Sequence, residues 1–217
     1  MPENHHAMTR KITSGPIRDK ERTKKKLTDS VGKILKKQGF AGLNARQIAM
    51  KAGVHRKLIY EYFGGMEGLV AQYLSSRDYW RVSLEHREAI IEQSRKDFGK
   101  QMAYTLLENQ FDSLMKSEEM RNIIHWGISE SLKPLQELNK EREQLGEEIF
   151  TKITDDYFQD KGKNMRAIEG ILIGGIYYLT LHAKMNDAAM CGIDINTPEG
   201  ETEIKKALKQ IIDWAYS

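Results

Sequence analysis

Between residues 39 and 63 the chain gathers side chains that hydrogen-bond well while facing water: Asn44, Arg46, Gln47, His55, Arg56, Lys57, Tyr60 and Glu61, with the apolar Leu58 among them. Arginine and lysine donate to phosphate oxygens and guanine edges, asparagine and glutamine match adenine, and a leucine side chain packs on a thymine methyl. This chemistry suits recognition of a polyanion. It does not suit making or breaking covalent bonds.

Catalysis finds no comparable set. The chain has no glycine-rich phosphate loop, no H-E-x-x-H, no setting for a cysteine nucleophile and no pair of carboxylates forced together by spacing. The expectation is therefore no enzyme, no catalytic residue and no cofactor. Cys191 is the only cysteine, which rules out an intrachain disulfide and suits a reducing, cytoplasmic setting. His5 and His6 have no further ligands near them in sequence, so they read as a tail or tag remnant and no metal is expected.

Two short helices are needed to hold the polar set. Asn44 is suited to cap a helix over 45–52, because its side-chain oxygen accepts from an otherwise unsatisfied first-turn amide. Gly53 ends that helix, since glycine reaches positive φ without steric cost and lets the chain turn sharply into a second helix over 56–63. Ile48, Ala49, Val54, Ile59 and Phe63 then form one apolar face, leaving the polar residues outside. Upstream, a helix over 19–38 carries Leu27, Val31, Ile34 and Leu35 at the spacing that packs one face on the pair, with Lys33, Lys36 and Lys37 outside.

The run F-x-x-L-N-A-R-Q-I-A-x-x-A-G-V-x-x-x-x-I-Y-x-Y-F over 40–63 resembles the helix-turn-helix of the TetR family of bacterial transcriptional regulators. With Leu27, Val31, Ile34, Leu35, Gly39 and Phe40 the likeness extends over 22–74. It implies an N-terminal three-helix DNA-binding domain, a helical ligand-binding and dimerisation domain, and double-stranded DNA as partner. The sequence departs from the family pattern at His55, where Ser or Thr is usual, at Lys57, where a small residue is favoured, and at Leu58, often Thr. After Phe63, Gly64, Gly65 and Met66 stand where Ser and Lys commonly cap the next helix and touch phosphate, so one phosphate anchor is expected to be missing.

Composition agrees with this division. In 217 residues there are four prolines and few alternating apolar runs, which points to an all-α chain, and 40% hydrophobic residues suffice for a core. The formal charge of +3 hides an asymmetry. Residues 1–63 hold fifteen Lys/Arg against five Asp/Glu, whereas residues 64–217 hold nineteen against twenty-six. A basic head on an acidic body is what a polyanion binder requires, and its affinity should fall with salt. The expected layout is a flexible basic tail or tag remnant at 1–17, a helix-turn-helix domain at 18–65 and a helical-bundle ligand-binding and dimerisation domain at 66–217.

Within the body, apolar spacing predicts a long connecting helix over 66–94 with Leu69, Val70, Tyr73, Leu74, Trp80, Leu84 and Ile91 inward. A helix over 97–116 follows, with Met102, Leu106, Leu107, Phe111 and Leu114 or Met115 inward, then a helix capped by Ser117. Pro134 opens a helix to 158, a further helix covers 164–186, and Thr197 with Pro198 starts the last. Residues 167–183 are apolar apart from Glu169 and His182, but fall short of the ~20 residues that span a bilayer, so the expectation is a buried interface helix and no membrane partner.

The function read from these residues is a ligand-responsive repressor that binds a palindromic operator as a homodimer. Arg56 and Lys57 are expected at bases, Leu58 at a thymine methyl, and Asn44, Arg46 and Tyr60 at phosphates, with His55 in the same surface. Ile171, Gly174, Gly175, Tyr178, Leu208, Ile211 and Ile212 are the expected dimer interface. Tyr104, Phe111, Met115, His125, Trp126 and Tyr177 are the expected contacts of an unknown small-molecule effector. The alternative is a DNA-binding protein without an effector.

Overall fold

A computed structural model describes residues 16–77 and 87–217, and among these every regular element is helical. The chain divides after Val70 into two compact units. In the first, α1 (Pro16–Gln38) is followed by a 3₁₀ turn at Phe40–Gly42, then α2 (Ala45–Ala52), α3 (Lys57–Phe63) and the first turns of α4 (Met66–Arg77). Leu27, Val31, Ile48, Ile59 and Leu69 are fully buried, and Ile34, Leu35 and Ala49 nearly so. Each such aliphatic side chain withdrawn from water contributes about 1.5–3 kcal/mol, less for a small one such as Ala49. The polar residues interrupting this face of α1 are satisfied locally, because the Thr28 and Ser30 hydroxyls donate to the Lys24 and Lys26 carbonyls at 2.9 and 2.7 Å.

The caps behave as their residue types require. Asn44 Oδ1 accepts from the Gln47 amide at 2.9 Å and starts α2. Gly53 takes a left-handed conformation, φ 66°, and turns the chain toward α3. At the far end of α3, Gly64 and Gly65 adopt φ 72° and 137° in succession. The departure from the family's sequence at this point is thus a backbone requirement. A Cβ at Gly68 would collide with the Phe63 carbonyl oxygen, so the start of α4 is also packed tightly against that turn.

The second unit, Ala71–Ser217, holds the rest of α4, then α5 (Arg87–Ser94), α6 (Lys100–Lys116), α7 (Glu118–Ser129), α8 (Lys133–Ile149), α9 (Met165–Asn186) and α10 (Pro198–Ala215). Trp80 and Leu84 of the expected connecting helix, the basic residues before Pro16, and His5 and His6 lie outside the described residues. The helix expected from 97 begins instead at Lys100, because Phe98 and Gly99 take positive φ, 55° and 89°, after a 3₁₀ turn at Arg95–Asp97. The helix expected through 158 is α-helical only to Ile149; Phe150–Thr154 form a π-helical turn and Asp155–Phe158 a final α turn.

The core of this unit is built from α6, α7, α9 and α10, with Phe111, Leu114, Ile176 and Ile212 among its most deeply buried side chains. Ser117 Oγ accepts from the Met120 amide, as expected for a cap, with Glu118 and Glu119 in the first turn. The last helix is fixed at both ends. Thr197 Oγ1 accepts from the Gly200 amide, and Lys163 Nζ donates to the Trp214 and Ala215 carbonyls at its C-terminus. Tyr216 donates to the Phe98 carbonyl at 3.0 Å, and its ring packs with Tyr157 and Phe158.

Candidate functional site

The outer surface of the first unit is built by α2, the glycine turn and α3. Asn44, Arg46, His55, Arg56, Lys57 and Tyr60 are all exposed and Leu58 is half-buried, so all seven expected DNA residues reach one small helical domain's surface. Lys57, Tyr60 and Glu61 share one face of α3 by their i, i+3 and i+4 spacing. Asn44 spends its side-chain oxygen on the cap and keeps its amide group for a partner. His55 braces the turn that leads into α3. Its Nδ1 accepts from the Lys57 amide at 3.2 Å, which satisfies one donor of α3 and leaves Nε2 as the outward-facing N–H. Behind this surface Lys20 lies 5.3 Å from the centre of the Tyr62 ring, a cation–π contact between α1 and α3.

The second unit holds a partly open cavity of about 480 Å³ between α6, α8 and α9, within the range of small-molecule sites. Met102, Leu106 and Leu107 come from α6, Leu145 and Ile149 from α8, and Ile173 from α9. Its polar groups are Asn139, Arg142, Glu143, Glu147, Arg166, Glu169 and the Tyr177 hydroxyl. A smaller pocket of about 110 Å³ between α7 and α8 shares Asn139, Arg142 and Tyr177 with it.

The charges around the cavity differ in how they are satisfied. Arg166 is held by Glu147 and by Asp155, whose Oδ1 accepts from Arg166 Nε at 3.0 Å, and it lies over the Phe150 ring. These bonds raise the Arg166 pKa and hold both carboxylates below their ordinary range. Glu169 is different. It makes no hydrogen bond or ion pair among the described residues, and burial alone pushes its carboxyl up to about 7.

Of the six expected effector contacts, only Tyr177 lines the cavity. Phe111, Met115 and Trp126 are closed into helix packing, Tyr104 is half-buried with its hydroxyl on Glu108, and His125 is exposed. Met102, Leu106 and Leu107 were legible as an inward stripe; Glu169 carried no sequence signal beyond a charge inside an otherwise apolar segment, and Arg142 none at all within its charged run. Among the expected interface residues, Ile171 and Tyr178 are 75% and 59% exposed, Gly174 is exposed, and Gly175 and Ile211 are partly so. Leu208 and Ile212 instead fill the chain's own core at 5% and 1% exposure. The outward side of α10 carries Trp214, 61% exposed, whereas Ile211 packs partly buried against the core.

Residues 33–73 match the family model described as bacterial regulatory proteins, tetR family. The helix-turn-helix of this chain is thus of the tetR type. A helix-turn-helix of this type implies DNA as the partner of that segment. No curated protein matches its sequence. Solved structures share its fold over nearly their whole length. FadR of Bacillus subtilis, determined in complex with stearoyl-CoA, is 17% identical with a TM-score of 0.56, covering 87% of this chain and 96% of that one. A TetR family regulator from Marinobacter aquaeolei is 15% identical with a TM-score of 0.57, covering 90% and 97%. One from Haloarcula marismortui is 12% identical with a TM-score of 0.58, covering 90% and 98%. Among the described residues no helix is long and apolar enough to cross a membrane.

Proposed function

We propose that this regulator binds a palindromic operator as a homodimer and releases it when a small molecule fills the cavity of the second unit. The observation that carries the reading is the combination of an exposed helix-turn-helix surface with a cavity of about 480 Å³ in a separate unit of the same chain. Arg56 and Lys57 are assigned to base edges, Leu58 to a thymine methyl, and Asn44, Arg46 and Tyr60 to phosphates. His55 serves by holding the start of α3 and by presenting Nε2–H.

Dimerisation supplies what one seven-residue helix lacks. Two copies of α3 placed ~34–36 Å apart reach successive major grooves, and a two-fold protein then matches a two-fold site. Support comes from the outward stripe of α9, where Ile171, Gly174, Tyr178 and Met185 fall within a narrow sector, and from Trp214 on α10. Gly174 and Gly175 have open space where a Cβ would stand, so nothing among the described residues explains their small size; a second helix approaching from outside does. The α9 and α10 stripes of two chains would make a four-helix interface.

The link from cavity to DNA is assigned to α4, which the unit boundary cuts after Val70. In its second half Tyr73 is buried and donates to Glu119 at 2.7 Å, beside Arg77, which fixes this half of the helix to the start of α7. A ligand that binds better when α7 and α8 are displaced would therefore act on α4. Selection of bound duplexes from a random pool tests the reading: an inverted repeat is expected, and enrichment of single, unpaired half-sites would refute the dimeric operator. The FadR neighbour in complex with stearoyl-CoA supports a ligand-responsive role for a fold of this kind.

A further inference from the structure

The exposed surface of the cavity lining is mostly apolar, and its charges do not cancel. Arg166 is neutralised by Glu147 and Asp155. Arg142 already has an interaction within the protein. Glu143 stands exposed on the α8 side, and Glu169 reaches the cavity from α9 with no partner among the described residues. Glu169 is half-buried, and a carboxylate that faces an apolar-lined pocket with no counter-charge among the described residues is stabilised when a cation arrives beside it. From this placement we infer that the cavity takes a lipophilic organic cation whose positive centre sits against the Glu169 carboxylate while its apolar groups pack on Met102, Leu106, Leu107 and Ile173. The inference rests on the reading of this cavity as the effector site and names the chemistry of the effector.

A large multiply charged anion such as an acyl-CoA headgroup is disfavoured by the same lining, because it would meet Glu143 and Glu169 with both arginines already engaged. The ionisable groups around Glu169 are Arg142, Glu143 and Glu147 from α8, Arg166 and Tyr177 on α9, and Tyr216 after α10, whose hydroxyl is pushed further up by the Glu169 charge. Helix α6 contributes apolar lining, Met102, Ala103, Leu106 and Leu107.

The test is calorimetric titration of the full chain with tetraphenylphosphonium, with its isosteric anion tetraphenylborate, and with stearoyl-CoA. At pH 8 the phosphonium is expected to bind one per chain, at least tenfold more tightly than the borate. Glu169→Gln should weaken the phosphonium at least tenfold without lowering the melting temperature, and Leu106→Trp, which fills the cavity, should abolish binding. Because the phosphonium has no proton to lose, its affinity should rise from pH 6 to pH 8 in the parent and stay flat in the glutamine variant. Binding of the borate or of stearoyl-CoA in preference to the phosphonium would overturn the cationic assignment and leave an effector cavity in place. So would a glutamine variant that binds the phosphonium like the parent, or phosphonium binding that survives Leu106→Trp. If none of the three binds, the effector reading falls together with it.

Discussion

The two units carry their functional side chains on opposite sides of their helices. In the N-terminal unit the core is closed, with Leu27, Val31, Ile48, Ile59 and Leu69 fully buried, and the residues assigned to DNA stand outside. In the C-terminal unit the outer faces carry ordinary charge pairs, while a partly open cavity between helices holds Glu169, which has no partner among the described residues. A surface that reads DNA needs a rigid platform, and short capped helices around a dry core provide it. A site that takes a small molecule needs an interior left unfilled, and an unfilled interior with a buried charge reduces stability. The difference teaches that stability and recognition are separable in the first unit and opposed in the second.

The largest test of that contrast removes the opposed element. Glu169 has its carboxyl at about 7 in the folded protein against 4.5 ordinarily, so between these values the folded chain holds a proton that the unfolded chain releases. Stability of the second unit should therefore fall as pH rises from about 5 through about 7. In Glu169→Gln this loss should vanish, leaving the variant more stable at pH 8 by up to about 3 kcal/mol, since each pKa unit corresponds to ~1.4 kcal/mol. Thermal unfolding of parent and variant across pH reads it, and parallel profiles would show the carboxyl to be solvated.

In the first unit, substitution on the outer face should leave folding untouched and cost only binding. Arg56→Ala is expected to weaken a selected duplex by ~1–3 kcal/mol and to relax preference at one base position, with an unchanged melting temperature. Loss that is uniform over all duplexes would move Arg56 from base to phosphate. Asn44→Ala is the smallest and the informative exception, since Asn44 both caps α2 and faces outward. Losing the cap should cost ~1 kcal/mol of stability. Asn44→Asp, which keeps the accepting oxygen, should restore stability but not DNA affinity.

The same contrast decides what could be read from the sequence. In the first unit, capping and turn chemistry are local, so Asn44, the span of α2, Gly53 and the buried positions of α1 follow from residue types within a few positions of each other. Helical spacing also identified Met102, Leu106 and Leu107 as inward. It could not say that they face a void, because that depends on how far α8 and α9 stand away. The aromatic residues Phe111 and Trp126 looked suited to a ligand and are instead consumed by packing. On α10 two apolar sides compete, and only the tertiary fold assigns Leu208 and Ile212 to the core and Trp214 to the outside. The π turn at Phe150–Thr154 shifts the face of every residue beyond it, and no residue type announces such a turn. His55 is the instructive case in the first unit, where the imidazole rather than a hydroxyl accepts from the Lys57 amide in the turn before α3.

The central claim is that the cavity and the DNA-reading surface share one equilibrium. It is tested most directly by the dissociation constant for the selected duplex, measured by anisotropy with and without saturating amounts of each small molecule found to bind the cavity. The account predicts a 5- to 150-fold weakening, corresponding to a coupling of ~1–3 kcal/mol, with the duplex weakening the ligand by the same factor. An unchanged constant at saturation, for every molecule that binds, would contradict it.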